Sequence, residues 1–170
     1  EMALMEEQLA EPSKSLGNHE IQVPLSSLME EITTVNSGSS VQEASNLMIR
    51  NNIGYVVVTK GEKLIGIFGE RDILLHFFNA DLDSWDNLVI DNHMKVNPKT
   101  LQPDDLLDTA IFFMASGGYR HIPIVDDRHK PIGMVSILSI ITYLIEHFPQ
   151  EVLTLPPRPI RDAMQAREGA

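Results

Sequence analysis

Two stretches place hydrogen-bonding side chains directly after an apolar run: Gly66-Ile-Phe-Gly-Glu-Arg-Asp72 and a fainter echo, Gly133-Met-Val-Ser-Ile-Leu-Ser139. Each ends one short apolar segment and opens another, Leu64 to Phe68 then Ile73 to Phe78, and Ile132 to Val135 then Ile137 to Ile145. A strand that turns straight into a helix leaves the first helical N–H groups without partners inside the helix. Such a start attracts anions and hydroxyl-rich ligands. Asp72 falls in the first helical turn, where the helix dipole favours a carboxylate. Two roles are open to it: an acid that caps the helix, or an acceptor for the hydroxyl groups of a ligand.

The elements that must position these groups occur twice. Leu28-Met29 matches His93-Met94 at an offset of 65; Thr34, Ala44 and Met48 match Thr100, Ala110 and Met114 at 66; Gly66 matches Gly133 at 67. Single-residue length changes in two loops explain the drift, so the chain carries two copies of one supersecondary unit. Each copy predicts a short extended segment (Ile32 to Val35; Lys99 to Leu101) and then a helix. Val41, Ala44, Leu47 and Met48 share a face of the first helix, as do Leu107, Ala110, Ile111 and Met114 in the second. Ser40 with Glu43 has capping-box spacing, and Pro103-Asp104-Asp105 reads as the other helix start. A hairpin follows (Tyr55 to Thr59 with Leu64 to Phe68; Ile122 to Val125 with Pro131 to Val135), turning at Lys60-Gly61-Glu62 and at Asp126 to His129. A helix closes each unit, Arg71 to Phe78 or Ile137 to His147. The order β-α-β-β-α, twice, is an α/β protein of the α+β type.

Composition narrows the function. The formal net charge is −11, from 13 Lys+Arg against 24 Asp+Glu, which repels nucleic acid phosphates; any anionic ligand needs a local cluster of bases. Cysteine is absent, so disulfides and thiolate chemistry are excluded, in keeping with a reducing cytoplasm. The longest apolar run, Met134 to Ile145, is interrupted by Ser136, Ser139 and Thr142 and falls short of a bilayer span, and the N-terminus shows no signal peptide; a soluble, cytoplasmic protein is expected. The six histidines lack metal-ligand spacing, and no nucleophile-base constellation, P-loop or Gly-rich dinucleotide motif is present. Neither an enzyme nor a metal site is expected.

Asn52-Ile53-Gly54-Tyr55-Val56-Val57-Val58 and Gly118-Tyr119-Arg120-His121-Ile122-Pro123, with the two glycine-led stretches above, resemble the cystathionine-β-synthase-type (CBS) domain pair, or Bateman module, over about residues 24 to 147. The resemblance implies two units packed with pseudo-two-fold symmetry around two clefts, pairing into a homodimer and requiring no cofactor. It implies binding of an adenosine-containing ligand (AMP, ADP, ATP or S-adenosylmethionine) and regulation of a partner protein. It also implies the roles of individual residues. Asp72 would accept the ribose hydroxyls; Ile53, Gly54 and Tyr55 would read adenine; Ile67 and Phe68 would contact the base. Arg120, His121 and Arg71 would reach phosphates, and Thr34, Pro123 and Ser136 complete the set. Gly69 stands where the family carries Ser or Thr, and Ser139 where it carries Asp. One competent cleft per chain, centred on Asp72, is therefore expected; the alternative is a pairing module whose clefts have lost ligand binding. The expected division is an N-terminal extension (1–22), first unit (23–79), connector (80–92), second unit (93–148) and proline-rich tail (149–170). Trp85, alone among acids in the connector, is expected to pack.

Overall fold

The structure is a computed structural model that describes residues 22–77 and 82–147. The N-terminal extension up to residue 21 and the proline-rich tail lie outside the described residues, as does Phe78. Among the described residues no helix is long and apolar enough to cross a membrane.

In the first unit, β1 (Thr34–Asn36) runs parallel to β2 (Tyr55–Lys60), which pairs antiparallel with β3 (Lys63–Gly69). Between β1 and β2 lies α1 (Val41–Asn51). It begins where Ser40 Oγ accepts the Glu43 N–H at 3.0 Å, as the spacing predicts, and buries Val41, Ala44 and Met48 at the helical period. It stops at Asn52, whose φ of 51° reverses the chain. The unit closes with α2 (Glu70–Phe77). A short strand β4 (Lys95–Val96), reached after the connector, adds to the far edge of β3. The second unit has α3 (Leu107–Gly117), the hairpin β5 (His121–Val125) and β6 (Pro131–Ser136), and α4 (Ile137–His147). Gly118, at φ 67°, ends α3 in the way that Asn52 ends α1.

Two sequence expectations need correction in the second unit. Lys99 to Leu101 forms no strand: Leu101 alone bridges Ile124, donating its N–H to Pro123 O and accepting that of Val125. Pro103 to Asp105 does not open α3, which starts at Leu107 with no side-chain cap. These residues form a turn instead, closed by the Gln102 N–H on Asp105 Oδ2 at 2.7 Å. The carbonyls of Pro103 and Asp105 accept N–H groups of Ser26 and Leu25 from the other end of the chain, so tertiary hydrogen bonds outcompete the local helix start.

Those bonds belong to an exchange of segments. The residues leading into each unit pack on the other. Leu25 N–H bonds Asp105 O at 2.8 Å and Leu107 N–H bonds Val23 O at 2.9 Å. At equivalent places Ile90 N–H bonds Ser39 O at 2.9 Å and Val41 N–H bonds Leu88 O at 2.8 Å. Leu25 and Leu28 lie in the second-unit core with Leu107, Ala110 and Ile122, while Ile90 lies in the first with Val41, Ala44 and Phe68; Trp85 packs there, half-buried. Burying one such side chain contributes about 1.5–3 kcal/mol, so each unit is stabilised by residues of the other's leading segment.

The glycines that open the two conspicuous stretches have their reason here. A Cβ on Gly66 would collide with the Met94 side chain, and one on Gly133 would lie 2.9 Å from Met29 Sδ. Only a bare backbone lets the exchanged methionines cross. A third cluster, Val57 and Leu64 with Val125 and Met134, packs the two hairpins face to face.

Candidate functional site

The two helix starts are built alike. At α2, Glu70 N–H donates to Gly54 O at 3.0 Å, and Gly69 N–H donates to Asp72 Oδ2 at 2.8 Å. At α4, Ile137 N–H donates to Arg120 O at 3.1 Å, and Ser136 N–H donates to Ser139 Oγ at 2.9 Å. Asp72 and Ser139 thus occupy the same capping place, the third helical residue reaching back over the first turn. Ser139 N–H also donates to Ser136 Oγ at 2.9 Å, a reciprocal box that Gly69 cannot make. The Asp72 bond uses one oxygen of a carboxylate that offers about four lone-pair sites, so capping and ligand contact are compatible.

Around this start the candidate residues separate into groups. Tyr55 faces Gly69 in the β2–β3 ladder, and Tyr55 and Ile67 pack against the inter-hairpin cluster. Asp72, Gly69, Tyr55 and Ile67 are all half-buried. A side chain at Gly69 would place its Cβ 3.1 Å from Gly54 O, so the position is tight as well as bare. Phe68 leaves the set: it is fully buried in the first-unit core, where the strand alternation puts it, and cannot touch a base from there. Ile53 and Gly54 line a recess of about 540 Å³ with Ser45, Met48, Glu70 and Trp85 on the α1 flank, and Asp72 is not among its lining residues. Thr34 is exposed on β1, Pro123 is buried in β5, and Arg71 and Arg120 are exposed.

Among the described residues, an aromatic pair also joins the two units. Tyr55 and His121 are equivalents at an offset of 66, and their rings stand 4.7 Å apart, tilted by 49°. Burial pushes the Tyr55 hydroxyl up to about 12, helped by the Glu30 carboxylate. Burial also holds the His121 imidazole below its ordinary value, against the pull of Glu30 and Glu70 and with the help of Arg120. Glu30 escaped the sequence reading. It pairs with Met134 across the exchange and accepts a hydrogen bond from Ser136 Oγ at 3.1 Å. Lys95, its equivalent at an offset of 65, faces Ile67 in the ladder and holds its ammonium 4.6 Å from the Tyr119 ring centroid. The signal was the 65-residue offset at Met29 and Met94, which carries one residue further; the crossing of the segments was not legible.

Away from this region, the hairpin turns enclose an open recess of about 660 Å³ between Lys60, Lys63, Arg128 and Lys130, with Glu62 and Asp126. Glu62 pairs with Lys130 at 3.0 Å, and Asp126 Oδ1 accepts the N–H groups of Arg128 and Lys130. Among the described residues no group of three or more His, Asp or Glu could hold a metal ion.

Known proteins match both halves. The family model described as "CBS domain" matches residues 25–79 and 89–146. An uncharacterised 17.7 kDa protein of Acidianus ambivalens is 29% identical over 117 residues, 68% of this chain and 69% of that protein. The chain spans only 16% and 24% of two further relatives, the meiotically up-regulated gene 70 protein of Schizosaccharomyces pombe and a homoserine O-acetyltransferase of Methanohalobium evestigatum. The solved structure of the CBS domain pair of protein MJ0100, in complex with 5-methylthioadenosine and S-adenosyl-L-methionine, is 22% identical. It superposes with a TM-score of 0.64 over 72% of this chain and 99% of that one. The structure of CBSX2 in complex with AMP is 20% identical, with a TM-score of 0.64 over 72% and 96%.

Proposed function

The chain belongs to the CBS domain family, and from that premise we propose that it is a regulatory module that binds an adenosine-containing nucleotide in the cleft between its units. One observation carries the reading: the Asp72 carboxylate stands half-buried at the start of α2, one oxygen held by the Gly69 N–H at 2.8 Å, beside the Tyr55–His121 contact between the units. A carboxylate fixed in this way is pre-oriented to accept a pair of ribose hydroxyls. Tyr55 and Ile67 offer apolar surface for the base. Arg120, His121 and Arg71 are the basic groups proposed for the phosphates in a chain of net charge −11. The complexes of MJ0100 with S-adenosyl-L-methionine and 5-methylthioadenosine, and of CBSX2 with AMP, support the ligand class.

The module works as a homodimer in the cytoplasm and acts on a protein partner. Leu74 and Leu75 on α2, and Leu138, Ile141 and Ile145 on α4, are exposed in the single chain, an apolar surface that a second copy would cover. A ligand that favours one arrangement of the paired units shifts the dimer toward it and so signals to the partner. The module itself performs no catalysis.

A second reading, a pairing module without ligand, is favoured by Gly69, which lacks the hydroxyl, and by the Ser136 hydroxyl, already committed to Glu30 and the Ser139 N–H. A thermal-shift panel with AMP, ADP, ATP and S-adenosylmethionine separates the two. A rise in melting temperature with at least one compound is expected; none at millimolar concentration leaves the pairing reading standing.

A further inference from the structure

At the far end of the hairpins the balance of charge is reversed. Tyr55 pairs with Gly69 beside the start of α2, whereas Lys60 pairs with Lys63 at the turn, about 17 Å further along the strand at the usual rise per residue. The turn of the second hairpin lies beside it: Leu64 N–H donates to His129 O at 3.0 Å and ties one turn to the other. Between them is the open recess of about 660 Å³, with two cations from each unit, Lys60 and Lys63, Arg128 and Lys130. Four bases against two acids inverts the balance of a chain with 13 Lys+Arg and 24 Asp+Glu. The nearby carboxylates are already engaged. Asp126 Oδ1 accepts the N–H groups of Arg128 and Lys130, each at 2.9 Å. Asp91, whose charge Lys60 favours, accepts the Ser37 hydroxyl and the Gly38 N–H. Glu62 pairs with Lys130 at 3.0 Å, but both side chains are exposed, and such a pair contributes little in water.

We propose that this recess binds a short chain of linked phosphates, held by both hairpin turns at once and remote from the Asp72 cleft. The site is independent of ribose recognition, so either can stand without the other. Charge density sets the ligand class. A single carboxylate offers Lys130 no more than Glu62 already does, whereas linked phosphates bring several charges within reach of all four bases. Arg128 supplies a planar guanidinium that matches phosphate oxygens in pairs, and the three lysines supply compact charges around it. A long polyanion such as a nucleic acid is disfavoured, because beyond the recess it meets the field of a chain with net charge −11. A ligand that touches Lys63 and Arg128 together joins the two units at their turns. It would hold closed the packing of Val57 and Leu64 on Val125 and Met134, which lies just behind.

The test is calorimetric titration of the whole chain with inorganic triphosphate at low salt. Binding is expected, and it should weaken as salt is added. The double variant Lys63→Gln/Arg128→Gln should weaken it about tenfold or more. Arg50→Gln/Lys99→Gln removes the same charge elsewhere and should change it little, as should Asp72→Ala. In the Asp72→Ala chain, ATP should bind as inorganic triphosphate does, because the recess reads only the phosphates, and AMP should bind far more weakly. All the substituted side chains at the turns are exposed, so unchanged melting temperatures without ligand are expected. No heat from triphosphate up to millimolar concentration overturns the site. Equal losses from the two double variants reduce it to an effect of net charge and also overturn it. Loss of triphosphate binding in Asp72→Ala would move the phosphates to the cleft, and tighter binding of hexaglutamate than of triphosphate would make the recess a surface for an acidic peptide; both contradict the proposal. None of these outcomes touches the ribose reading, which fails only if adenosine compounds do not bind.

Discussion

The starts of α2 and α4 solve one structural problem with different chemistry. Each must satisfy the N–H groups left over where a strand enters a helix, and each does so with the third helical residue and the carbonyl of the residue just before the hairpin's first strand. In α2 the cap is a carboxylate and the capped residue is bare: Asp72 over Gly69. In α4 two serine hydroxyls cap each other, and the carboxylate arrives from outside as Glu30. The fold needs only an acceptor at that place; a ligand's hydroxyl groups favour a charged one. Where one residue can meet both demands, as we propose for Asp72, the sequence shows a single acid for two roles. Where they are divided, as between Ser139 and Glu30, the difference shows what the cap requires and what it leaves over.

The largest expected effect tests the exchange that brings Glu30 into place. Leu25→Ala should destabilise the protein by about 2–5 kcal/mol, as large-to-small core changes do, and Ile90→Ala by a similar amount. The pattern of loss carries the information. Hydrogen exchange should show Leu25→Ala loosening α3 and β5, and Ile90→Ala loosening α1 and β2. If Leu25→Ala weakens the unit nearest in sequence instead, the crossing is wrong.

Capping comes next. Asp72→Ala and Ser139→Ala should each lower unfolding free energy by about 1 kcal/mol, because each removes an equivalent bond at a helix start, and denaturant melts check this. A cost confined to Ser139→Ala would break the equivalence of the two caps.

On the outer face, α4 carries Ile137, Leu138, Ile141 and Ile145 exposed, while Ile140 is buried and Tyr143 and Leu144 pack half-buried on the core. Ile141→Asp should abolish dimers at micromolar concentration in sedimentation velocity; a monomeric unmutated chain contradicts the pairing. The smallest effect is pH dependence. His121 in the fold sits below its ordinary value of 6.5, so the unfolded chain takes up the proton first. Stability from this group is complete above that value and is lost as the pH falls through 6.5 toward the folded value. Melting temperature should therefore drop over that interval, and His121→Gln should flatten the drop.

Much of this was legible in the chain. The helical faces of Val41, Ala44 and Met48 and of Leu107, Ala110 and Met114 are set by a period that survives into the structure, and strands and helices differ from the sequence reading mostly by a residue at their ends. The second unit's helix start was misread because the bonds that decide it, Leu25 to Asp105 and Ser26 to Pro103, join segments far apart in the chain, and its leading strand because Leu101 alone reaches the β5 backbone. Phe68 was misplaced because the motif shows neighbours along the strand and not the face each takes. Gly66 opens the conspicuous stretch with no reason visible in the sequence, and the Met94 crossing supplies one. Glu30 was missed since nothing local marks an acid whose partner lies 106 residues away.

The central claim is that ribose recognition at the first cleft rests on Asp72. Calorimetric titration of AMP into the unmutated chain, Asp72→Ala and Ser139→Ala tests it most directly, with adenosine as the control ligand and Arg120→Ala as a check on the phosphate. Asp72→Ala should lose about 1.5–3 kcal/mol of AMP binding, roughly tenfold to more than a hundredfold in affinity. Ser139→Ala should change AMP binding little, and Arg120→Ala should weaken AMP more than adenosine. Equal losses from Asp72→Ala and Ser139→Ala would contradict the assignment of the cleft.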